Sequence, residues 1–484
     1  MSPTAFLAPV DLQLISGITF LTYLLGVISS YHVIMSSRTS QAVIAWSVSL
    51  CTFPMLALPL YWIFGREKFN GYVDARRGKD EGTHPLILRT LEKLPGSLAD
   101  PHHLNADQRV METLAAMPYT QLNQVDFYTT GRDTFDAIFE AMRTADSYIL
   151  IQFFIFRDDG LGRELLAEVA NARKRNVRVY VLYDGVGCTR LPSRYLKDLR
   201  DTGAEVSGFK TTRGPRNRFQ LNFRNHRKIV VVDGVTAFVG GHNVGDEYLG
   251  LDPKLGLWRD THCRLMGPAV LATQLSFASD WNWAMDRIPE NLNWTPVSAR
   301  DRDERILVVP SGPADQVETW KMMLLQCIRQ ADDRLWLVSP YFVPDTDVIT
   351  ALQLAALRGV DVRILLPDKA DHLMVWLASY SFLPQLDMPN ITVYRYQPGF
   401  LHQKVVLVDE ELAVVGTANA DNRSFRLNFE ISITGIDDHF ISSVAEMLEN
   451  DFRLSRPSPI TEYSERSLLF RFGAQVCRLM SPIL

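Results

Sequence analysis

Asn225-His226-Arg227-Lys228-Ile229-Val230-Val231-Val232-Asp233, followed by Gly240-Gly241-His242-Asn243, is written a second time in this chain. The second copy reads Leu401-His402-Gln403-Lys404-Val405-Val406-Leu407-Val408-Asp409, followed by Gly416-Thr417-Ala418-Asn419. Each copy has His and Lys two apart, an apolar run, an Asp, six residues and a Gly-x-x-Asn. Alternate residues of a strand share a face, so His and Lys at i and i+2 are expected to point into one pocket. The apolar run then carries that strand into a core. One such pattern is weak; two with the same internal spacing indicate a duplicated unit building a single site.

The repeat extends beyond the motifs. Ala145-Asp146 and an apolar strand over 148–156 correspond to Ala331-Asp332 and a strand over 335–342. Helical stretches over 165–175 and 348–357 follow, then strands over 177–182 and 360–365. Near-continuous apolar strands alternating with helices predict, in each half, a mixed sheet flanked by helices. The expected organisation is α/β. Two α/β/α half-domains, residues 121–300 with the motif at 226–243 and residues 301–460 with the motif at 402–419, meet across a pseudo-twofold.

Ahead of them stand two apolar stretches, 12–35 and 42–64, each long enough to cross a hydrocarbon core of ~30 Å at ~1.5 Å per residue. The link Ser36-Ser37-Arg38-Thr39-Ser40-Gln41 is short and polar, so residues 1–65 read as a transmembrane hairpin. No basic residue precedes the first stretch and a second follows directly, which argues against a cleaved signal peptide. Arg38 is the one basic residue of the link, whereas Arg66, Lys68, Arg76, Arg77 and Lys79 follow the second stretch. That asymmetry is expected to place both termini on the cytoplasmic side of the membrane. Residues 66–120 form a connector with a short helix expected over 86–94. Residues 461–484 mix Leu, Phe, Val and Met with Arg471 and Arg478, as an interfacial amphipathic segment would; docking on the chain's own domain explains the pattern equally well.

A net charge of −5 gives no global basic field for nucleic acid. The five cysteines are scattered without a C-x-x-C pair, so neither a zinc site nor a disulfide framework is indicated. His102-His103 reads as solvated loop.

Two His, two Lys and two Asn around one small anion suit phosphodiester chemistry without a metal. Lys228 and Lys404 supply charge, and Asn243 and Asn419 supply amide donors, for the nonbridging oxygens of a pentacoordinate transition state. One His attacks phosphorus; the other protonates the leaving alkoxide and later deprotonates the incoming hydroxyl. The lysines push both imidazole pKa values down, so carboxylates are needed as partners. Aligning the halves sets Trp258-Arg259-Asp260 beside Asn428-Phe429-Glu430, making Asp260 and Glu430 the candidates. Asp233 and Asp409 complete the motifs and are counted with the catalytic residues, although local turn structure is the role the sequence favours for them.

The double motif resembles the phospholipase D superfamily. Arg157-Asp158-Asp159-Gly160, Trp258-Arg259-Asp260, Pro340-Tyr341-Phe342-Val343-Pro344, Asn428-Phe429-Glu430 and the apolar N-terminus ending Tyr61-Trp62-Ile63-Phe64-Gly65-Arg66 extend the likeness to bacterial cardiolipin synthases. The resemblance implies a pseudo-dimeric body and a His-orienting role for Asp260 and Glu430. It implies His226 as nucleophile and His402 as general acid/base, an assignment that two complete motifs leave open. It further implies transfer of a phosphatidyl group from one phosphatidylglycerol to another through a phosphohistidine, releasing glycerol, with no cofactor and no metal. The expected partners are anionic phospholipid and the bilayer, not nucleic acid. The basic lead-in Lys210, Arg213, Arg216, Arg218, Arg224 and Arg227 fits an anionic lipid surface. The competing readings are a phospholipase D-type hydrolase, a transferase to another lipid or alcohol, and a membrane-tethered nuclease.

Overall fold

The computed structural model describes residues 12–36, 39–65, 68–69, 71–73, 86, 90–213, 220–459 and 461–483. Arg38, Arg66, Arg76, Arg77, Lys79, Arg216 and Arg218 lie outside them, as does part of the helix expected over 86–94. The chain divides into two compact units, Met1–Phe69 with Thr211–Asn222, and Asn70–Lys210 with Phe223–Leu484.

In the first unit, helix Leu12–Ser36 is followed by helices Ser40–Thr52 and Pro54–Phe64. Val33, Leu50, Ala57 and Tyr61 form their small common core, and the Tyr61 hydroxyl lies 2.6 Å from His32 Nδ1. Gly26 permits the close approach, since a Cβ there would meet the Leu50 carbonyl oxygen. Most other large apolar side chains, Phe20 and Leu56 among them, face outward. Among the described residues, one helix, Gln13–Ser36, is long and apolar enough to cross a membrane. The second expected stretch is not one helix. Pro54 has no N–H and disfavours helical geometry in the residue before it, and Phe53 accordingly sits at φ −130°, ψ 57°.

The second unit carries both motifs on one sheet path. From one edge its strands run Glu205–Phe209, Arg178–Asp184, Tyr148–Phe153, Ile229–Val232, Thr236–Gly240, His262–Met266 and Thr120–Tyr128. The path continues through Glu304–Ser311, Asn428–Gly435, Leu412–Gly416, Val405–Val408, Arg334–Val338, Asp361–Pro367, Ile391–Tyr396 and Ser455–Pro457. Seven strands of one half are repeated in reverse order by seven of the other, with Ser455–Pro457 added at the far edge. The halves join where Thr120 pairs antiparallel with Ile306.

Strand alternation sorts the layers. Ile149, Ile151 and Phe153 face a core shared with Phe135, Ile138, Leu161 and Leu165 from helices Gly131–Arg143 and Gly160–Lys174. Tyr148 and Gln152, on the opposite face, reach Gln274 and Asp280 of the almost wholly buried helix Ala269–Met285. Helices thus cover both sides of the sheet, as its near-continuous apolar strands require.

Candidate active site

The motif strands begin one residue after each lysine, at Ile229 and Val405, so His and Lys precede the strand rather than lie on it. Each His-x-Lys is held instead by a short parallel pairing with the opposite half. Arg224–Asn225 pairs with Asn428–Phe429, and Gly399–Leu401 pairs with Leu257–Arg259. The amide of His226 donates to the Phe429 carbonyl at 2.9 Å, and that of His402 to the Arg259 carbonyl at 2.7 Å. The residues next in line after Phe429 and Arg259 are Glu430 and Asp260. Nδ1 of His226 lies 2.8 Å from Glu430, and Nδ1 of His402 lies 2.6 Å from Asp260. The sheet register confirms that the two carboxylates are equivalent, because Gly240 faces His262 and Gly416 faces Ser432, each two residues after its acid.

Both carboxylates are fully buried. Glu430 accepts from Thr417 Oγ1 at 2.5 Å, Ser424 Oγ at 2.9 Å and Asn428 Nδ2 at 3.1 Å. Asp260 accepts from the Thr261 amide at 2.8 Å. A Cβ at Gly241 would stand 1.9 Å from Asp260 Oδ1, so only glycine leaves room for the acid there. The second half has Thr417 at that place and uses its hydroxyl. Burial opposes ionisation of both acids, yet Lys404 and His402 hold Asp260 well below the usual carboxylate range, and His226 with Lys228 lowers Glu430. Burial pushes His226 down to about 4 against the pull of Glu430. Burial and Lys404 push His402 to about 3. Both imidazoles are therefore neutral near pH 7, each donating Nδ1–H to an ionised carboxylate and keeping a basic Nε2.

Lys228 Nζ donates to the carbonyl of His226 at 2.7 Å, and Lys404 Nζ donates to the carbonyl of His402. Burial lowers them to about 7 and about 8. Both lysines are buried beside their histidines. Asn243 and Asn419 line the cleft. Asn243 is fixed by the Ile155 amide at 3.1 Å and the Tyr248 hydroxyl at 3.0 Å, and Asn419 Nδ2 lies 3.2 Å from Asp421.

Asp233 and Asp409 do not face the cleft. At φ 53° and 48° they close the tight turns after the motif strands. Asp233 accepts the amides of Asp146, Ser147 and Tyr148 at 2.7–2.9 Å, and Asp409 accepts those of Asp332, Asp333 and Arg334 at 2.6–2.9 Å. Their place among the catalytic residues is given up: their oxygens are spent on pinning the loop before the neighbouring strand. Arg227 likewise leaves the lipid-facing set. It is buried, bonded to Asp280 at 2.8 Å and to the Glu430 carbonyl at 2.9 Å. Its counterpart Gln403 is bonded to Asp451 at 2.7 Å, so the middle residue of each motif is anchored on a helix carboxylate.

The cleft has a volume of about 1070 Å³ and is lined by both histidines, by arginines that include Arg224 and Arg423, and by carboxylates that include Asp371 and Asp421. Trp258 packs 5.0 Å from the His402 ring and 4.6 Å from Tyr248, while Phe154 packs 5.1 Å from His226. Sequence reading missed Thr417 and Ser424 as supports of Glu430, and Asp280 and Asp451 as anchors. Thr417 stood inside the second motif as a signal; the other three had none.

A family profile described as "Cardiolipin synthase, PLD-like domain" matches residues 138–258 and 324–452. Cardiolipin synthase A of Pseudomonas fluorescens (strain SBW25) is 46% identical over 465 residues, covering 96% of this chain and 97% of that protein. Cardiolipin synthase A of Pseudomonas putida (strain W619) is 45% identical over 468 residues with the same coverage. Among solved structures, the phosphatidylserine synthase of Haemophilus influenzae Rd KW20 superposes with a TM-score of 0.59 at 16% identity, over 79% of this chain and 100% of that one. That likeness concerns the fold.

Proposed function

The chain belongs to the cardiolipin synthases built on the PLD-like domain, and from that premise we propose that His226 and His402 transfer a phosphatidyl group between two phosphatidylglycerol molecules. The chain is a phosphatidyltransferase. The observation that carries the residue roles is the pair of crossed His–carboxylate contacts at 2.8 and 2.6 Å.

His226 Nε2 attacks phosphorus of the first lipid. The P–O bond to glycerol breaks, and the leaving alkoxide takes a proton from His402 Nε2. The bound phosphodiester anion raises the pKa of His402 and so supplies that protonated form. The primary hydroxyl of the second lipid then loses its proton to His402 and attacks phosphorus. Cardiolipin forms and His226 is released. Lys228, Lys404, Asn243 and Asn419 stabilise the extra charge on the nonbridging oxygens. Arg224 and Arg423, on the cleft lining, favour anionic headgroups.

The enzyme works at a membrane: its relatives act on phospholipid and helix Gln13–Ser36 can span. The finer reading, a two-span anchor in a bacterial inner membrane with the catalytic unit cytoplasmic, rests on the apolar segments and on the basic residues after the second one.

Lipid mass spectrometry on the full chain in phosphatidylglycerol vesicles tests the reaction. Cardiolipin and glycerol are expected from the parent and from neither His226→Ala nor His402→Ala. Phosphatidic acid as sole product would make the enzyme a hydrolase. A trapped phosphohistidine mapped to residue 402 would exchange the two roles.

A further inference from the structure

Helix Leu468–Leu479 is docked on the catalytic unit by one face only. Ala474 is fully buried, and Phe470 packs 5.4 Å from Tyr380 and 6.1 Å from Trp376 on helix Leu373–Tyr380. Arg478 donates to the Ser381 carbonyl at 3.2 Å. At about 100° per residue, Leu468, Leu469, Phe472, Val476 and Leu479 fall in one outward stripe. Their exposures run from 44% at Val476 to 81% at Leu469. Helix Leu373–Tyr380 adds Leu373 and Met374, also exposed, while the adjoining His372 and Val375 line the catalytic cleft. An apolar surface thus runs from the last helix to the cleft mouth.

We propose that this surface, Leu468, Leu469, Phe472, Val476 and Leu479 with Leu373 and Met374, seats the catalytic unit on an anionic bilayer so that lipid enters the cleft without crossing water. Two observations select a bilayer rather than a second copy of the chain. The stripe is continuous with a cleft whose substrates are lipids, an argument that rests on the function proposed above. The docked helix also carries no acidic residue that would repel anionic headgroups, its Arg471 and Arg478 being turned to their own domain over Tyr463 and Phe382.

The test uses the full chain in vesicles of phosphatidylglycerol and phosphatidylcholine. With Cys51→Ser and Cys477→Ser removing the two accessible thiols, an environment-sensitive probe is placed at Phe472→Cys, or at Arg143→Cys as reference. Doxyl-labelled lipid chains are expected to quench the probe at 472 several-fold more than the probe at 143. Equal quenching overturns the proposal. So does shielding at 472 that needs no lipid and grows with protein concentration, which would make the surface a self-association site. A second measurement uses Leu469→Glu/Phe472→Glu, both fully outward positions. Its kcat/KM on vesicles should fall at least tenfold, and on monomeric short-chain phosphatidylglycerol it should be unchanged; equal loss on both overturns the proposal. Should the parent transfer no phosphatidyl group, the functional reading fails, while the quenching result still decides membrane seating.

Discussion

Nδ1 of His226 lies 2.8 Å from the carboxylate of Glu430, a partner supplied by the other half of the chain. Asp260 and His402 form the same contact in the opposite sense at 2.6 Å. A carboxylate there fixes the tautomer and stabilises the imidazolium that forms in one of the two steps. Glu430→Gln and Asp260→Asn keep the shape and remove the charge. Each is expected to lower kcat by about 10²-fold or more with little change in KM. Combined, they should cost less than the product of the two effects, because both act on one reaction centre. Steady-state kinetics on mixed micelles measures this.

The pH dependence follows from the buried groups. His226 at about 4 and His402 at about 3 stay neutral in the free enzyme until strongly acid pH. Lys228 at about 7 and Lys404 at about 8 must be protonated to attract the phosphodiester. A plot of kcat/KM should therefore steepen above about 7 to 8, beyond the slope set by loss of the His402 proton in the free enzyme. The limb in kcat should lie higher, since bound anion raises both lysines. Stability has its own sign. Unfolded histidines take up protons below about 6.5, whereas the folded ones resist until about 4 and 3, so stability falls as pH drops through that window. Urea melts at pH 7, 5 and 4 check it.

Asp233→Ala and Asp409→Ala should behave as stability variants. Each strips three backbone amides of a charged acceptor, a loss of roughly 2–3 kcal/mol. The melting temperature should drop, while kcat per folded molecule stays within about threefold of the parent. A kcat loss like that of Glu430→Gln, with an unchanged melt, would restore them to the chemistry.

Asp280 accepts bonds from Arg227, Gln152, Asn225 and Tyr72 at 2.7–2.8 Å, and it is fully buried. Asp280→Ala leaves the Arg227 guanidinium buried without its counter-ion and is expected to destabilise by roughly 3–5 kcal/mol. Chemical denaturation gives that value directly. Asp280→Asn should lose less, because it still accepts a hydrogen bond.

The duplicated motif made the two-half α/β architecture legible, because apolar runs such as Val405–Val408 specify buried strands whatever surrounds them. Asp260 could be aligned with Glu430 because each closes the segment that follows its Gly-x-x-Asn, although the two segments differ in length. The crossing of the pairs was not, since no periodicity says that Arg224 and Asn225 leave their own sheet to pair with Asn428 and Phe429. Nor did composition reveal that Arg227 points into a core. An arginine in a basic run is ordinarily solvated, and only Asp280, far away in sequence, makes it a buried ion. The break at Phe53 was signalled by Pro54, yet a hydropathy reading sums across it.

Because each histidine borrows its carboxylate from across the pseudo-twofold, separating the two halves by an ångström would lengthen both contacts together. Neither imidazole could be detuned alone by such a movement. The seam between the halves is therefore a single adjustment for nucleophile and proton carrier, and substitutions along it, such as at Ile306 opposite Thr120, would change both chemical steps in the same direction.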